Sequence, residues 1–481
     1  VLWIAGGFGS MQVLRFASSI ILAHLLYPQA FGLFALTYVF ITALHLFSDL
    51  GIRVSIIQSP RGEDPAFLDT AWTIQVIRGV IIWLVGCALA WPAAYLRPEP
   101  EPALLWLLPV VAFCAVIEGF ISTNLHLLFR HLKQRTAVLI ESISAAGGIT
   151  VTVCWALFIE RSLWAMAAGP LTNSMLQLIL SHLLPGHRNR FRRDRHAMKE
   201  LVHFGRWIFL STMFTFLADQ SDRLVVGFLS VTLLGVYHLA NQIATVPVAL
   251  MSTVARQIVL PLYSRLIESG KEIGPALREM QVRAGAMTAL MIAGLISVGP
   301  TFVRCLYDER YQDATWILPL LAVAIMLQIF DNFASSVLIA IGKPRIYALS
   351  NFIKVICLVL FMPLGVWLDG LRGLIIALIL GEVGRYLCTA IFLRRDGLPI
   401  LRRDCGWAIF AVAVGVGTNR LVELVGPALP AGGRNWPVLL ERMAMESALV
   451  IILWAGVVGY GWRAGWFHKL PGQDGGTSSR F

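Results

Sequence analysis

Long apolar runs alternate with short polar breaks along almost the whole chain. About 20 consecutive apolar residues are needed for a helix to cross a bilayer. At that length the pattern predicts fourteen helices, at 2–26, 30–52, 69–95, 103–127, 136–159, 162–184, 205–229, 232–262, 283–306, 314–341, 346–368, 372–393, 405–426 and 437–462. Only Tyr27, Pro28 and Gln29 separate the first two, which predicts a tight hairpin. The last two are interrupted by Arg420, Glu423, Glu441 and Glu446. Val1 enters a span at once with no basic n-region, so no signal peptide is expected and the opening reads as trimmed.

Composition narrows the class. Hydrophobic residues make up 57% and charged residues 14%, with a mean hydropathy of +0.72. Soluble domains average roughly 25% charged. A soluble enzyme, a disordered chain and a disulfide-stapled secreted domain are excluded. Backbone in lipid must satisfy its own hydrogen bonds, so the expectation is an all-α polytopic membrane protein. The net charge of +11 fits basic cytoplasmic loops better than nucleic acid. With the amino end inside, the outer loops hold only Arg97, Arg161, Arg304, Arg310, Arg372 and Arg434. Most other basic residues fall in inner loops, which predicts both termini in the cytoplasm. The densest run is RNRFRRDR at 188–195, read either as a seat for anionic lipid headgroups or as a topology determinant.

No C-x-x-C relates the seven cysteines, and His24 and His45 lack metal-ligand spacing, so no metal is expected. There is no G-x-x-x-x-G-K-[ST] and no G-x-S-x-G. No cofactor and no enzymatic activity are expected, and any driving force comes from a gradient or a partner.

The chain also repeats itself. LLYPQAFGLFAL at Leu25 aligns with FLSVTLLGVYHL at Phe228, pairing Gly32 with Gly235, Phe34 with Tyr237 and Leu36 with Leu239 at one offset. That offset lays span one on span seven and span two on span eight, a parallel repeat of six helices. The expected organisation is an amino-terminal six-helix lobe at 1–184, a basic linker at 185–204 and a second six-helix lobe at 205–395. Two additional helices at 396–466 and a loose cytoplasmic tail at 467–481 follow.

Charges sit inside the expected spans. An ionisable residue facing lipid at depth costs ~2.5–3.5 kcal/mol on the insertion scale, so ten would cost roughly 25–35 kcal/mol. A folded protein retains only about 5–15 kcal/mol. The deep charges must pair or line a wet cavity. Asp219 with Arg223, Glu382 with Arg385 and Arg420 with Glu423 have pairing intervals. Arg15, Arg78, Arg256 and Lys354 have no acid three or four residues away. The candidate substrate-binding cations are Arg15, Arg78, Arg223, Arg256, Lys354 and Arg385. The candidate ion-coupling acids are Asp49, Glu118, Glu141, Asp219, Asp222 and Asp331.

Several stretches resemble bacterial oligosaccharide flippases. The first is LLYPQAFGLFALTYVFITALHLFSDLGIRVSIIQ at 25–58, with its Pro, Phe-Gly and Asp-Leu-Gly. FRHLKQRTA at 129–137, FGRW at 204–207, DRLVVGFLSVTLLGVYHLANQIATVP at 222–247 and LPLYSRL at 260–266 follow. YQDATWILPLLA at 311–322 and IGKPR at 341–345 complete the set. The resemblance covers roughly 1–395 and implies membership of the multidrug/oligosaccharidyl-lipid/polysaccharide exporter superfamily. It implies two pseudo-symmetric lobes around a central cavity. It also implies transfer of an undecaprenyl-diphosphate-linked oligosaccharide to the periplasmic leaflet of the inner membrane. Membrane lipids, a polysaccharide polymerase and chain-length machinery are the implied partners.

A cation-coupled multidrug antiporter of the same fold is the competing expectation, and it needs an acidic cavity. A membrane polymerase or glycosyltransferase would want a large loop for its site, which the short breaks do not provide.

Overall fold

Among the described residues helix occupies most of each expected apolar run, with a break inside 103–127. The structure is a computed structural model describing residues 2–48, 51–131, 133–426 and 435–463, and those residues contain no strand. The first helices are α1 (Leu2–Leu25), α2 (Pro28–Phe47), α3 (Ile52–Gln58), α4 (Pro65–Tyr95), α5 (Leu104–Gly119) and α6 (Asn124–Arg130). Next come α7 (Gln134–Phe158), α8 (Leu163–His182), α9 (Arg195–Leu229), α10 (Val231–Ala244) and α11 (Val246–Val254). A π-helical turn at Ala255–Val259 leads into α12 (Leu260–Glu268) and α13 (Ile273–Leu306). The remaining helices are α14 (Ala314–Ala340), α15 (Pro344–Arg395), α16 (Leu401–Val425) and α17 (Trp436–Arg463). Among the described residues, nine helices are long and apolar enough to cross a membrane, or ten if the bent α5–α6 pair is one span. The expected tail at 467–481 and Asp49 lie outside the described residues.

Local chemistry sets the breaks. Tyr27 is extended and Pro28 opens α2, where its missing N–H is no loss. Asp64 caps α4 by accepting from the Ala66 amide at 3.0 Å, and Pro65 follows it. Gly51 has φ 61°, a left-handed turn that starts α3 and that most side chains resist. The 52 residues of α15 would extend about 78 Å as one rod, far beyond a bilayer. Non-helical Asp369 and Gly370 split it into the two expected spans.

The helices gather into two compact units, Val1–His238 and Leu239–Phe481. The division falls within α10, beyond the basic linker, so α9 and the start of α10 belong with the first unit. There α4 packs on α5, α7 on α8 and on α1, and α2 on α9. Gly32 of α2 lies against the Val231 carbonyl, and Gly235 of α10 lies against the Pro28 carbonyl. Neither position has room for a Cβ. Pro28 and Val231 are related by the offset that relates Gly32 and Gly235. The contact is therefore reciprocal.

In the second unit α13 is central, packing on α14, α16 and α17. Ala293, Val414 and Val450 form a buried cluster there. The Trp454 indole N–H donates to the Ala286 carbonyl at 2.7 Å. The two last helices are thus integral to this unit.

Candidate functional site

Ionisable side chains on apolar helices line open space in the first unit. A chamber of about 610 Å³ lies among α1, α2, α5, α7 and α8 and is lined by Arg15, Glu118 and Asn173. A second, of about 230 Å³, is lined by Arg53, Gln75, Arg78, Glu118 and Glu141. His45 and Glu118 line both.

A broken helix positions Glu118. The chain bends by 65° between α5 and α6. The carbonyls freed at the break are answered by side chains of α4. The Gln75 amide donates to the carbonyls of Glu118 at 2.9 Å and of Gly119 and Ile121 at 3.3 Å. The Trp72 indole donates to the Phe120 carbonyl at 3.3 Å. With those groups satisfied, a break inside lipid is tolerable. Glu118 sits at the resulting helix end, where Ser174 Oγ donates to Oε1 at 3.0 Å and His45 Nε2 lies 3.9 Å from Oε2.

Arg78 reaches from α4 to the end of α2. Its guanidinium donates to the His45 carbonyl at 2.7 Å and to Ser48 Oγ at 3.0 Å. A helix carboxyl end offers unpaired carbonyls and partial negative charge, so a cation is stabilised there. Arg53 lies 4.0 Å over the Phe129 ring. Arg15 is exposed on α1 and, among the described residues, has no carboxylate partner. Glu141 is also exposed.

On α9 the expected Asp219–Arg223 pair is not seen among the described residues. Arg223 Nη1 donates instead to Gln220 Oε1 at 2.6 Å, a shorter reach along the same helix. Asp222 accepts the Tyr237 hydroxyl at 2.6 Å, and Asp219 is exposed.

The second unit treats its charges differently. Asp331, Lys354, Glu382 and Arg385 are all buried. Lys354 Nζ is 2.7 Å from Glu382, and Arg385 is 2.6 Å from Asp331 and 3.6 Å from Glu382. Thr389 and Ser335 hydroxyls donate to Asp331 at 2.7 and 3.1 Å. Two cations and two carboxylates cancel. Lys354, with no acid nearby in sequence, meets one because α15 folds back at Gly370. Arg420 and Glu423 pair as expected, at 3.1 Å. Glu446, which had looked like a flaw in α17, is bound by Arg442 at 3.1 Å and by the Thr301 hydroxyl at 3.0 Å. Arg256 is exposed in the π-helical turn.

Outside the spans, Arg61 bonds Asp64 at 2.7 Å and Asp194 at 3.0 Å. The Arg61 guanidinium holds the Asp64 carboxyl below the usual carboxylate range. Among the described residues, no group of three or more His, Cys, Asp or Glu could hold a metal.

Sequence reasoning missed His45, Gln75 and Arg53 as cavity residues. Arg53 lies just past the second expected span, at 30–52, and is not among the candidate cations. Its usable signal is its place two residues after the glycine of the Asp-Leu-Gly turn, at the start of a short helix.

Known proteins fit this picture. The profile of the family described as polysaccharide biosynthesis protein matches residues 21–316. The chain is 22% identical over 370 residues to the lipopolysaccharide biosynthesis protein WzxC of Escherichia coli K12, covering 76% of this chain and 74% of that protein. It is 22% identical over 325 residues to the succinoglycan biosynthesis transport protein ExoT of Rhizobium meliloti, covering 67% and 64%. Among solved structures, the inward closed conformation of the lipid II flippase MurJ superposes with TM-score 0.71 at 13% identity, covering 96% of this chain and 99% of that one. An inward-facing multidrug resistance MATE transporter gives 0.64 at 17% identity, covering 80% and 94%. The fold is therefore that of a multi-pass transporter. With the family profile matching more than half its length, the chain belongs to the polysaccharide biosynthesis protein family.

Proposed function

We propose that the chain flips an undecaprenyl-diphosphate-linked oligosaccharide from the cytoplasmic to the periplasmic leaflet, with both termini in the cytoplasm. Two parallel six-helix repeats alternate access to the substrate, and the reciprocal Gly32–Gly235 contact supports that symmetry. The diphosphate and sugars cannot cross hydrocarbon unaided, because desolvating them is too costly. Arginines in a wet cavity replace the lost hydration with bidentate contacts to phosphate oxygens.

The observation that carries this reading is three guanidiniums, Arg15, Arg53 and Arg78, lining the chambers of the first unit. Arg223 and Arg256 are further candidates in the same role. Lys354 and Arg385, each held by carboxylates, are not carried forward as ligands. Glu118, between the chambers, is the coupling acid this reading favours, with Glu141 and Asp222 behind it.

The test is export of surface polysaccharide in cells carrying Arg15→Gln, Arg53→Gln and Arg78→Gln together, at matched protein level. Export falls at least about tenfold, the rate equivalent of ~1.4 kcal/mol. Unchanged export would overturn the cationic-cavity mechanism. The antiporter reading draws on Glu118 and Glu141 in the same chambers. Proton efflux driven by organic cations in vesicles would favour it.

A further inference from the structure

A charge signal for membrane topology needs only charge. The basic run before α9 has more than charge, because its backbone is held in place. The Arg190 amide donates to Asp69 Oδ1 at 2.9 Å, the Arg192 amide to Thr73 Oγ1 at 3.1 Å and the Asp194 amide to Thr70 Oγ1 at 3.1 Å. Alternate amides of an extended strap thus meet one face of α4. His187 Nε2 lies 2.6 Å from Asp69 Oδ1. Asn189 accepts from Ser122 Oγ and the Thr123 amide and donates to Thr123 Oγ1. Asn124 exchanges two hydrogen bonds with the His187 backbone. Arg61 clasps Asp194 at the far end.

The charges face the other way. Arg188, Arg190, Arg192 and Arg193 are all exposed, and among the described residues no acid meets their guanidiniums. Phe191 stands between them, 65% exposed, with its ring 4.7 Å from Trp72. Ordering an extended segment has an entropic cost, and several polar side chains of α4 and the α5–α6 break are committed to offsetting it. The product is a strap with a held backbone that carries four exposed cations with an aromatic ring among them.

We propose that this strap is a binding surface for anionic phospholipid headgroups of the cytoplasmic leaflet. The phosphates face four exposed guanidiniums on a backbone already held in place, and Phe191 enters the headgroup boundary beside them. Each basic residue near an anionic surface raises partitioning about fivefold. The inference uses the cytoplasmic placement of the linker proposed above and is independent of what is transported.

The experiment uses the full-length protein in nanodiscs of phosphatidylcholine doped with phosphatidylglycerol, reading phosphatidylglycerol enrichment beside the protein with a spin-labelled lipid. Three variants are compared with the wild type. R188Q/R190Q/R192Q/R193Q removes the array. R394Q/R395Q/R402Q/R403Q removes equal charge from another loop of the same face. Thr70→Val with Asn189→Ala keeps every arginine but loosens the strap. Enrichment falls at least about fivefold in the array variant, stays near wild type in the other-loop variant and falls about twofold in the loosened one. Equal losses in the two charge variants would reduce the run to bulk charge and overturn the proposal. So would unchanged enrichment in the loosened variant. Displacement of phosphatidylglycerol by inorganic pyrophosphate at low concentration would assign the array to the substrate's diphosphate and overturn the lipid assignment. Cysteine accessibility reports orientation, and an inverted array variant would leave a topology role only, against the proposal. If the array variant does not fold, a salt titration of the wild type decides. Enrichment is lost as salt rises, and indifference to salt counts against the strap.

Discussion

Arg78 on α4 and Arg385 on α15 are both guanidiniums on apolar helices, yet they meet different surroundings. Arg78 lines a chamber and bonds the end of a neighbouring helix. Arg385 is 4% exposed, wedged between Asp331 and Glu382. The same contrast holds more widely. Arg15, Arg53 and Glu118 of the first unit have space beside them, whereas Lys354 and Glu382 of the second are matched and enclosed. A deep charge is affordable in two ways, through water or through a counter-charge. The first leaves a group available to a ligand. The second fixes helices in register and leaves the group committed.

Breaking one partner of an enclosed set has the largest expected effect. Asp331→Ala leaves Arg385 and Lys354 sharing the single carboxylate of Glu382 and should destabilise the second unit by ~3–5 kcal/mol, seen as a lowered unfolding temperature in detergent. Glu118→Gln in the first unit should change stability by less than about 1 kcal/mol, because the chamber can hydrate what remains. Similar losses in the two variants would erase the contrast. The seam at Gly32 comes next. Gly32→Val or Gly235→Val forces a side chain onto a backbone carbonyl and should cost ~1–3 kcal/mol. Because both act on one contact, the double variant should lose less than the sum, and strict additivity would refute the reciprocal packing. Thr301→Val removes a donor to buried Glu446 and should cost ~1–2 kcal/mol, with the loss read as loosened α17 by hydrogen exchange. The smallest effect is in pH. The Asp64 carboxyl is held low by Arg61, so its contribution is present above the ordinary carboxylate range and fades as pH falls through its lowered value. Arg61→Gln should flatten that acid limb of the unfolding curve, and an unchanged limb would assign it to other carboxylates.

The helices and their turns were legible in the sequence because lipid leaves the backbone few choices. Apolar length, Pro28 and Gly51 mark several ends, whereas the Asp64 cap, which starts α4 ahead of the expected 69, and the breaks inside 103–127 and 232–262 were not read. Pairing was legible only at helical intervals. Glu382 with Arg385 and Arg420 with Glu423 could be read, while Asp219 suggested a pair that Arg223 makes with Gln220 instead. The Lys354–Glu382 bridge was out of reach, since it depends on how sharply α15 folds back. Arg442 and Glu446 stand at a pairing interval that the tally of deep charges passed over. The chambers were legible in kind and not in place. That deep cations need water follows from cost, but that Arg53 and His45 share a chamber with Arg78 depends on the break after Gly119.

The central claim is that the chamber-lining cations of the first unit serve transport while the carboxylate-held cations Lys354 and Arg385 of the second serve folding. The most direct measurement is flipping of a diphosphate-linked oligosaccharide in vesicles, normalised to folded protein. One variant is R15Q/R53Q/R78Q. The other is K354M/E382M, which removes a bridge whole. The account predicts that the first keeps its unfolding temperature and loses at least about tenfold in rate. The second should keep its rate per folded molecule, whatever its stability. The reverse pattern, or equal losses of rate in both, would contradict it.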